Sequence, residues 1–263
     1  MINNFLLEFS ILLAAALVGG LAIVPYSLRL IKGSGKPLKM SVPMLTLLSF
    51  LQNAVLSAVA IGAGLIAAHA VGLGAPYIEA MLAGSVPADP FMSMFGIAIA
   101  FGMLAGAVLL IADLFFLPYW PKQIVDTALK TTLWENFFAS LYGGINEELL
   151  MRLFGFSVFV WLLSFISHPN ITVFWIVNVV MATVFGIGHL PALKALVGNI
   201  SRVMLARTLI LNAPVGLICG WLFWTYGIEA AIIAHFSADI IYHVFGTIVL
   251  RHKLGGKVHS HSI

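Results

Sequence analysis

Two adjacent carboxylates, Glu147 and Glu148, stand in an apolar run, and Arg152 follows them. The run reads Asn-Glu-Glu-Leu-Leu-Met-Arg-Leu-Phe over residues 146–154. A charged side chain at the centre of a membrane helix costs on the order of 2.5–3.5 kcal/mol by insertion scales. Because packing alone does not offset such a cost, the pair indicates a reactive or ion-handling site in a water-lined cavity.

Helix geometry predicts different roles for the two glutamates. Glu148 and Arg152 are spaced i,i+4 and share a helix face, so they can form an ion pair. A buried arginine needs such a partner. Glu147 lies about 140° round the helix from Arg152. We therefore predict that Glu148 serves mainly as the counter-ion and that Glu147 acts as a base. The alternative is an ion pair that only joins helices.

A second apolar segment ends at His189, in the run Phe-Gly-Ile-Gly-His over residues 185–189. His189 and Glu148 are nearly equidistant in sequence from a turn near His168. In an antiparallel hairpin, arms of equal length end at equal depth, so the two side chains are expected to face each other. The alternative is a histidine hydrogen-bonded at a helix end.

A third apolar segment carries His235 and Asp239 at i,i+4 spacing, with His243 one further turn along. Such spacing places the three side chains along one helical stripe. Neutral imidazole serves both as a base and as a metal ligand at physiological pH. Asp239 could orient His235 or bind an ion beside it. A hydrogen-bonded pair that only ties helices together is the alternative.

Other polar residues in the apolar segments carry weaker signals. Glu8, His69 and Asp113 stand alone near the ends of apolar runs, which favours interfacial positions. The only cysteine, Cys219, excludes an intramolecular disulfide and is interpreted as a small apolar filler. No serine- or cysteine-nucleophile motif is visible.

The composition predicts that membrane-spanning helices position these residues. Hydrophobic residues make up 61% of the 263 and charged residues 9%, whereas soluble domains have about 25% charged residues. An all-α polytopic membrane bundle follows, of seven helices, or of eight if the long fourth segment breaks. The predicted spans, each of the length that a bilayer requires, are 5–28, 43–70, 92–117, 134–166, 171–189, 204–226 and 228–250.

Basic residues fall on or beside alternate connections between these spans, Arg207 lying just inside the sixth span, with Arg152 as the exception. The positive-inside rule then predicts an N-terminus outside and a cytoplasmic C-terminus. A net charge of +3 without a basic patch gives no sign of nucleic-acid binding. Small size and short loops favour the bacterial plasma membrane. The basic residues of the connections are Arg29, Lys32, Lys36, Lys39, Lys122, Lys130, Lys194, Arg202, Arg251, Lys253 and Lys257.

The chain is expected to form a single integral-membrane domain over residues 1–263. Residues 1–133 carry no recognised motif, residues 134–250 carry all three polar segments, and residues 251–263 are predicted to form a cytoplasmic tail. Function is therefore expected to depend mainly on the second half of the chain.

The three polar segments, in this order, resemble the motifs of the CAAX prenyl protease and bacteriocin-processing family, also called the Abi family. The resemblance covers roughly residues 135–245, and one position departs from it, because an aspartate replaces the commoner asparagine of the third motif. The matching residues are Glu147, Glu148 and Arg152 in E-E-x-x-x-R, Phe185 and His189 in F-x-x-x-H, and His235 with Asp239 in H-x-x-x-N.

The resemblance implies hydrolysis of a peptide bond by an activated water inside a helical bundle. It implies that Glu147 is the general base, helped by His189, and that His235 and Asp239 stabilise the oxyanion. Members have been classified both as glutamate proteases and as metalloproteases. Glu147, His189 and His235 could hold a divalent ion such as zinc, or a carboxylate could activate water directly.

We therefore expect an intramembrane endopeptidase in the lipid bilayer that acts on a membrane-associated peptide or protein. Prenylated C-termini and bacteriocin-type peptides are the substrates that the resemblance implies. One alternative is a non-catalytic membrane scaffold or immunity protein of the same fold. A second is an ion-coupled transporter, which the lack of visible inverted repeats and paired broken helices disfavours.

Overall fold

The computed structural model describes residues 2–33, 40–85 and 88–260, and these residues form helices and short connections without a β-strand. The all-α polytopic fold predicted from composition is thus confirmed. The α-helices are α1 (Ile2–Ala22), α2 (Val24–Gly33), α3 (Val42–Ala70), α4 (Pro76–Leu82), α5 (Ala88–Phe116), α6 (Lys122–Lys130), α7 (Leu133–Tyr142), α8 (Ser157–Ser164), α9 (Ile171–Gly188), α10 (Leu190–Val197), α11 (Arg202–Tyr226), α12 (Ile228–Asp239) and α13 (Gly246–Ser260).

Six helices among the described residues are long and apolar enough to cross a membrane. The predicted fourth span is a continuous helix over 133–164. It is not one of these six candidate spans, because it contains too many charged residues. The predicted total of seven to eight helices therefore stays a prediction. The six spans are Asn4–Ile31, Val42–Ala70, Asp89–Tyr119, Ile171–Val197, Arg202–Tyr226 and Ile228–Lys253.

The predicted basic connections converge at one end of the bundle, where α6 contacts α2, α10 and α13. Arg29 forms an ion pair of 2.8 Å with Glu135 at the start of α7. Arg251 donates to the carbonyl oxygens of Ala128 and Thr131. We call this region the basic end.

Some residues of the predicted basic connections and of the predicted tail lie outside the described residues. Lys36 and Lys39 lie outside the described residues. The predicted tail over 251–263 continues α13 as far as Ser260, and residues 261–263 are outside the description. The side of the membrane on which each terminus lies stays a prediction from the charge pattern.

Two glycines of α5 bring it close to α12. A Cβ atom at Gly102 or Gly106 would overlap the carbonyl oxygens of Ala234 and Ala238. Small residues spaced i,i+4 allow membrane helices to pack backbone against backbone. The contact fixes the face of α12 that carries these alanines, and therefore fixes the direction of the neighbouring His235.

A similar close contact joins α9 and α11. A Cβ atom at Gly216 would lie 2.8 Å from the side chain of Ala182. Asn178 donates a hydrogen bond of 2.9 Å to the carbonyl oxygen of Leu217. The two helices thereby form a fixed wall beside the segment that carries the adjacent glutamates.

Candidate active site

Side-chain hydrogen bonds hold both ends of the segment that leads to the glutamates. Thr132 caps α7, because its hydroxyl accepts from the Glu135 amide while the Glu135 carboxylate accepts from the Thr132 amide. Further along, Asn146 donates a hydrogen bond of 2.9 Å to the carbonyl oxygen of Ala16 in α1. A Cβ atom at Gly19 would overlap the same asparagine. Close packing on α1 thus fixes the residue that precedes Glu147.

The helix widens where the motif residues lie. It is π-helical over Gly143–Glu147 and over Leu149–Phe156, on either side of Glu148. A further π-helical segment, Ile240–Phe245, begins directly after Asp239. Such turns often occur at functional sites, and here they adjoin the predicted site residues on two facing helices.

Glu148 lies at the centre of the site and is fully buried. Its Oε2 atom is 3.1 Å from Arg152 Nε, which is the ion pair predicted from the i,i+4 spacing. Its Oε1 atom is 2.6 Å from His235 Nδ1. Because an ionised carboxylate only accepts hydrogen bonds, Nδ1 carries a proton in this contact. Glu148 therefore orients the imidazole as well as neutralising the arginine.

Arg152 is buried to 1% exposure and contacts three helices. Its Nη2 atom donates a hydrogen bond of 2.9 Å to the carbonyl oxygen of Gly216, and its guanidinium lies 5.2 Å from the ring centroid of Phe185. Among the described residues its Nη1 atom finds no hydrogen-bond partner, and its Nε atom, although 3.1 Å from Glu148 Oε2, does not meet hydrogen-bond geometry there. The positive charge is therefore held close to Glu148 and only partly satisfied.

Glu147 differs from its neighbour in exposure and in contacts. Its side chain is 27% exposed, and its Oε2 atom is 3.9 Å from His235 Nε2. Asp239 Oδ1 lies 3.8 Å from the same nitrogen. These separations are too long for direct hydrogen bonds, but a water at about 2.8 Å from both atoms fits each of them. The accessible carboxylate and the free face of the imidazole thus border one space.

Gly143, one turn before Glu147, makes room for this arrangement. A Cβ atom there would lie 2.6 Å from Asp239 Oδ2 and 3.4 Å from His235 Nε2. Any larger residue would displace the aspartate. The sequence analysis missed this glycine, because a Gly-Gly pair inside an apolar segment is compatible with simple helix packing.

His189 lies apart from the other predicted site residues. Its Nδ1 atom donates a hydrogen bond of 2.8 Å to the carbonyl oxygen of Phe185, and no described carboxylate lies within ion-pair distance of its ring. Phe185, one turn earlier, contacts both imidazoles, with centroid distances of 4.8 Å to His189 and 5.6 Å to His235. Phe185 thus links the two imidazoles, and the equal depth predicted for Glu148 and His189 stays a prediction.

The three residues predicted to bind a metal do not form a compact ligand set. Among the described residues, the sets near the site with ligand atoms within 4.8 Å of one another include Glu148, Cys219 and His235 but not Glu147, His189 and His235. Cys219, interpreted from the sequence as an apolar filler, is buried next to the motif residues. The guanidinium beside Glu148 disfavours a second cation there.

Comparison with known families identifies the part of the chain that carries this site. Residues 129–241 match the model of the type II CAAX prenyl endopeptidase Rce1-like family. Over these residues the chain is similar to the CAAX prenyl protease family. The match spans α7 through Asp239 and so includes every residue of the site described above. No curated protein and no solved structure matches the chain.

This match supports the resemblance drawn from the three motifs. It supports a multi-pass membrane protein with a protease activity of the CAAX type. Residues 1–128 lie outside the match, although α1 contacts the site through Asn146. The first helices therefore contribute packing to a site whose motif residues all come from the second half.

Proposed function

We propose that the chain is an intramembrane endopeptidase in which Glu147 activates the water that attacks a peptide carbonyl. The observation that carries this proposal is the contrast between the adjacent glutamates. Glu148 is buried and engaged with both Arg152 and His235, whereas Glu147 is partly exposed and faces His235 Nε2. A general base must reach both water and substrate, and the 27% exposure of Glu147 against the full burial of Glu148 supports Glu147 in that role.

In the proposed reaction, Glu147 accepts a proton from the water as the water oxygen bonds to the carbonyl carbon of the peptide. The carbonyl π electrons move to oxygen and give a tetrahedral oxyanion. The C–N bond then breaks, and the proton held by Glu147 passes to the leaving amine. In its protonated form His235 donates from Nε2 to the oxyanion, while its Nδ1–H stays hydrogen-bonded to the Glu148 carboxylate. Asp239 is a positioning residue that limits the movement of the imidazole.

The proposed substrate is a peptide or protein segment held in the membrane, including prenylated or bacteriocin-like peptides. The site lies among helices whose outer faces carry exposed large apolar side chains, so a lipid-anchored segment could approach through the bilayer. A metal-dependent form of the reaction with Glu147, His189 and His235 as ligands stays a prediction, as does zinc as the metal.

The test compares purified wild-type protein with Glu147→Gln in proteoliposomes. The probes are a fluorogenic farnesylated peptide with a CAAX end and its unprenylated counterpart. We expect the substitution to lower kcat by about 10²- to 10⁴-fold, the usual contribution of a general base, without changing the thermal unfolding midpoint. Asp89→Asn, an exposed carboxylate at the start of α5, is the matched control and should hydrolyse at the wild-type rate.

Two results would contradict the proposal. If Glu147→Gln hydrolyses the peptides at the wild-type rate, Glu147 is not the base. If the wild-type protein cleaves neither peptide, the scaffold alternative gains, and ion uptake by the same vesicles tests the transporter alternative. Chelator treatment followed by zinc addition distinguishes the metal-dependent reaction from direct activation of water by the carboxylate.

A further inference from the structure

A second polar cluster lies at the end of the bundle opposite the basic end. Glu8 of α1, His69 of α3 and Glu79 of α4 each contribute one ligand atom, and these atoms lie within 4.8 Å of one another. From the sequence, Glu8 and His69 are expected to stand alone, but in the structure they are in contact. They meet because α1 and α3 pack side by side while the connection after α3 folds α4 back over them.

The spacing in this cluster suits a small tetrahedral cation. His69 Nε2 is 3.2 Å from Glu8 Oε2 and 3.7 Å from Glu79 Oε1. Ligand atoms about 2.1 Å from a tetrahedral zinc ion lie about 3.4 Å apart. One imidazole and two carboxylates favour zinc or a similar transition metal over calcium or magnesium, which prefer oxygen ligands alone.

Glu8 provides an independent indication of a missing partner. The residue is only 2% exposed, and among the described residues its Oε1 atom has no hydrogen-bond partner. A buried carboxylate oxygen without a partner is costly. Its other oxygen faces His69, and both residues line a cavity that Glu79 also borders. The unsatisfied carboxylate thus belongs to a space with room for an ion and a bound water.

The surroundings hold the other two ligands in place. The Ala75 amide donates a hydrogen bond of 3.1 Å to Glu79 Oε1, and the ring of Phe5 meets the His69 imidazole edge to face at 6.2 Å. A Cβ atom at Gly74 would lie 2.6 Å from Glu79 Oε1 and 3.4 Å from the His69 ring. The backbone at Gly74 therefore allows both ligands to approach, as surrounding contacts do around metal sites.

We propose that Glu8, His69 and Glu79 bind a divalent transition-metal ion such as zinc, with a fourth position open to water. The site joins α1, α3 and α4 and is separate from the glutamate motif. Along α1, Glu8 is about 16 Å from Gly19, the residue that packs on Asn146. The ion would therefore hold the helices together and would not take part in hydrolysis.

The test is a zinc titration of chelator-stripped protein in detergent, followed by calorimetry and by the thermal unfolding midpoint. We expect saturable binding and a rise of the midpoint by roughly 5 °C at zinc concentrations far above Kd. His69→Gln and Glu79→Gln should each weaken this binding at least about tenfold. Glu79 is 46% exposed in its side chain, so its substitution is the safer test if the histidine variant folds poorly.

Two controls separate this site from the rest of the molecule. Asp89→Asn removes a negative charge at the same end, and Glu147→Gln removes a carboxylate of the candidate active site; both should leave the titration unchanged. Loss of binding in Glu147→Gln would place the metal at the active site and overturn the proposal. If His69→Gln and Glu79→Gln bind zinc as tightly as the wild type, or if zinc leaves the thermal unfolding midpoint unchanged, the proposal is wrong and the cluster is only an ion pair.

Discussion

Among the described residues, two buried carboxylates each pair with an arginine, and the resulting clusters differ in how completely their polar groups are satisfied. One joins Asp113 of α5 to Arg207 of α11, and the other joins Glu148 to Arg152 beside the candidate active site. Both carboxylates are fully buried. The same kinds of side chain thus occur in similar surroundings, and their remaining contacts distinguish structure from function.

In the Asp113 cluster each charged group has a partner. Arg207 donates to both carboxylate oxygens at 2.6 and 2.7 Å, and Tyr242 donates to Oδ2 at 2.6 Å. Trp120 donates to Oδ1 at 3.3 Å and also lies under the guanidinium, 5.0 Å from it. A bidentate pair with these extra contacts is a complete unit. Both carboxylate oxygens of Asp113 are therefore satisfied.

The cluster round Glu148 has an excess of negative groups and incomplete hydrogen bonding. Three carboxylates, those of Glu147, Glu148 and Asp239, surround a single arginine and His235. Arg152 Nε and Nη1 lack hydrogen-bond partners among the described residues. Such incomplete satisfaction is costly to stability and is typical of functional sites. The comparison predicts that substitutions in the Glu148 cluster affect activity and that substitutions in the Asp113 cluster affect stability.

The largest effect is expected for Glu148→Gln. A neutral amide no longer stabilises the positive charge of protonated His235, the form that donates from Nε2 to the oxyanion in the proposed reaction. A carboxylate-to-amide change beside a catalytic histidine lowers kcat by about 10⁴-fold in a serine protease, and we expect a loss of about 10³- to 10⁴-fold in peptide hydrolysis. Stability should fall as well, by about 3 kcal/mol, because Arg152 loses its counter-ion.

A kinetic assay combined with thermal unfolding checks this prediction. Glu147→Gln provides the comparison, since it should lose activity while its unfolding midpoint stays at the wild-type value. If Glu148→Gln retained hydrolysis and lost only stability, Glu148 would be a counter-ion alone. The two buried clusters would then be equivalent.

The next largest effect is the loss of stability expected for Asp113→Asn. Removing the charge leaves Arg207 buried without its counter-ion, which costs about 3–5 kcal/mol. Hydrolysis per folded molecule should stay within about twofold of wild type, because no atom of this cluster reaches His235. The measurement is the unfolding midpoint together with kcat normalised to folded protein.

Tyr242→Phe is the milder companion variant in this cluster. It removes one hydrogen bond to an ionised carboxylate and should cost about 1.5–3 kcal/mol. A fall in kcat per folded molecule in either variant, with stability unchanged, would mean that the Asp113 cluster takes part in the reaction. The proposed difference between the Asp113 and Glu148 clusters would then be wrong.

The sequence predicted the parts of the site that depend on local spacing. The Glu148–Arg152 pair is separated by one turn of a single helix, and i,i+4 spacing places such side chains together whatever the tertiary fold. The all-α fold followed from apolar run lengths, which reflect bilayer thickness. The hydrogen bond between Glu148 and His235 could not be predicted, because it joins helices 87 residues apart in sequence.

The predicted depth of His189 shows a limit of counting residues. Equal arm lengths imply equal depth only if both arms rise equally per residue. The arm that carries Glu148 is π-helical over Leu149–Phe156, and π turns use more residues per turn than α turns. The arms therefore need not rise equally, and the equal depth of Glu148 and His189 stays a prediction, although Arg152 and Phe185, one turn nearer the connection on each arm, are in contact. The expected isolation of Asp113 was wrong for a different reason, since its partner Arg207 comes from a distant helix.

The smallest effect distinguishes two glycine positions. Gly143→Ala would place a methyl group 2.6 Å from Asp239 Oδ2, so the aspartate must shift and the support of His235 weakens. Displacements of about 1 Å in an active site can cost 10²-fold in rate, and we expect kcat to fall by about 10- to 100-fold. Gly96→Ala is the matched control, because a Cβ atom at Gly96 meets nothing within 4 Å. It should keep the wild-type kcat and raise stability by up to about 1 kcal/mol through helix propensity. Equal rates for the two alanine variants would show that the Asp239 position does not limit hydrolysis, and His235 would then be positioned by Glu148 alone.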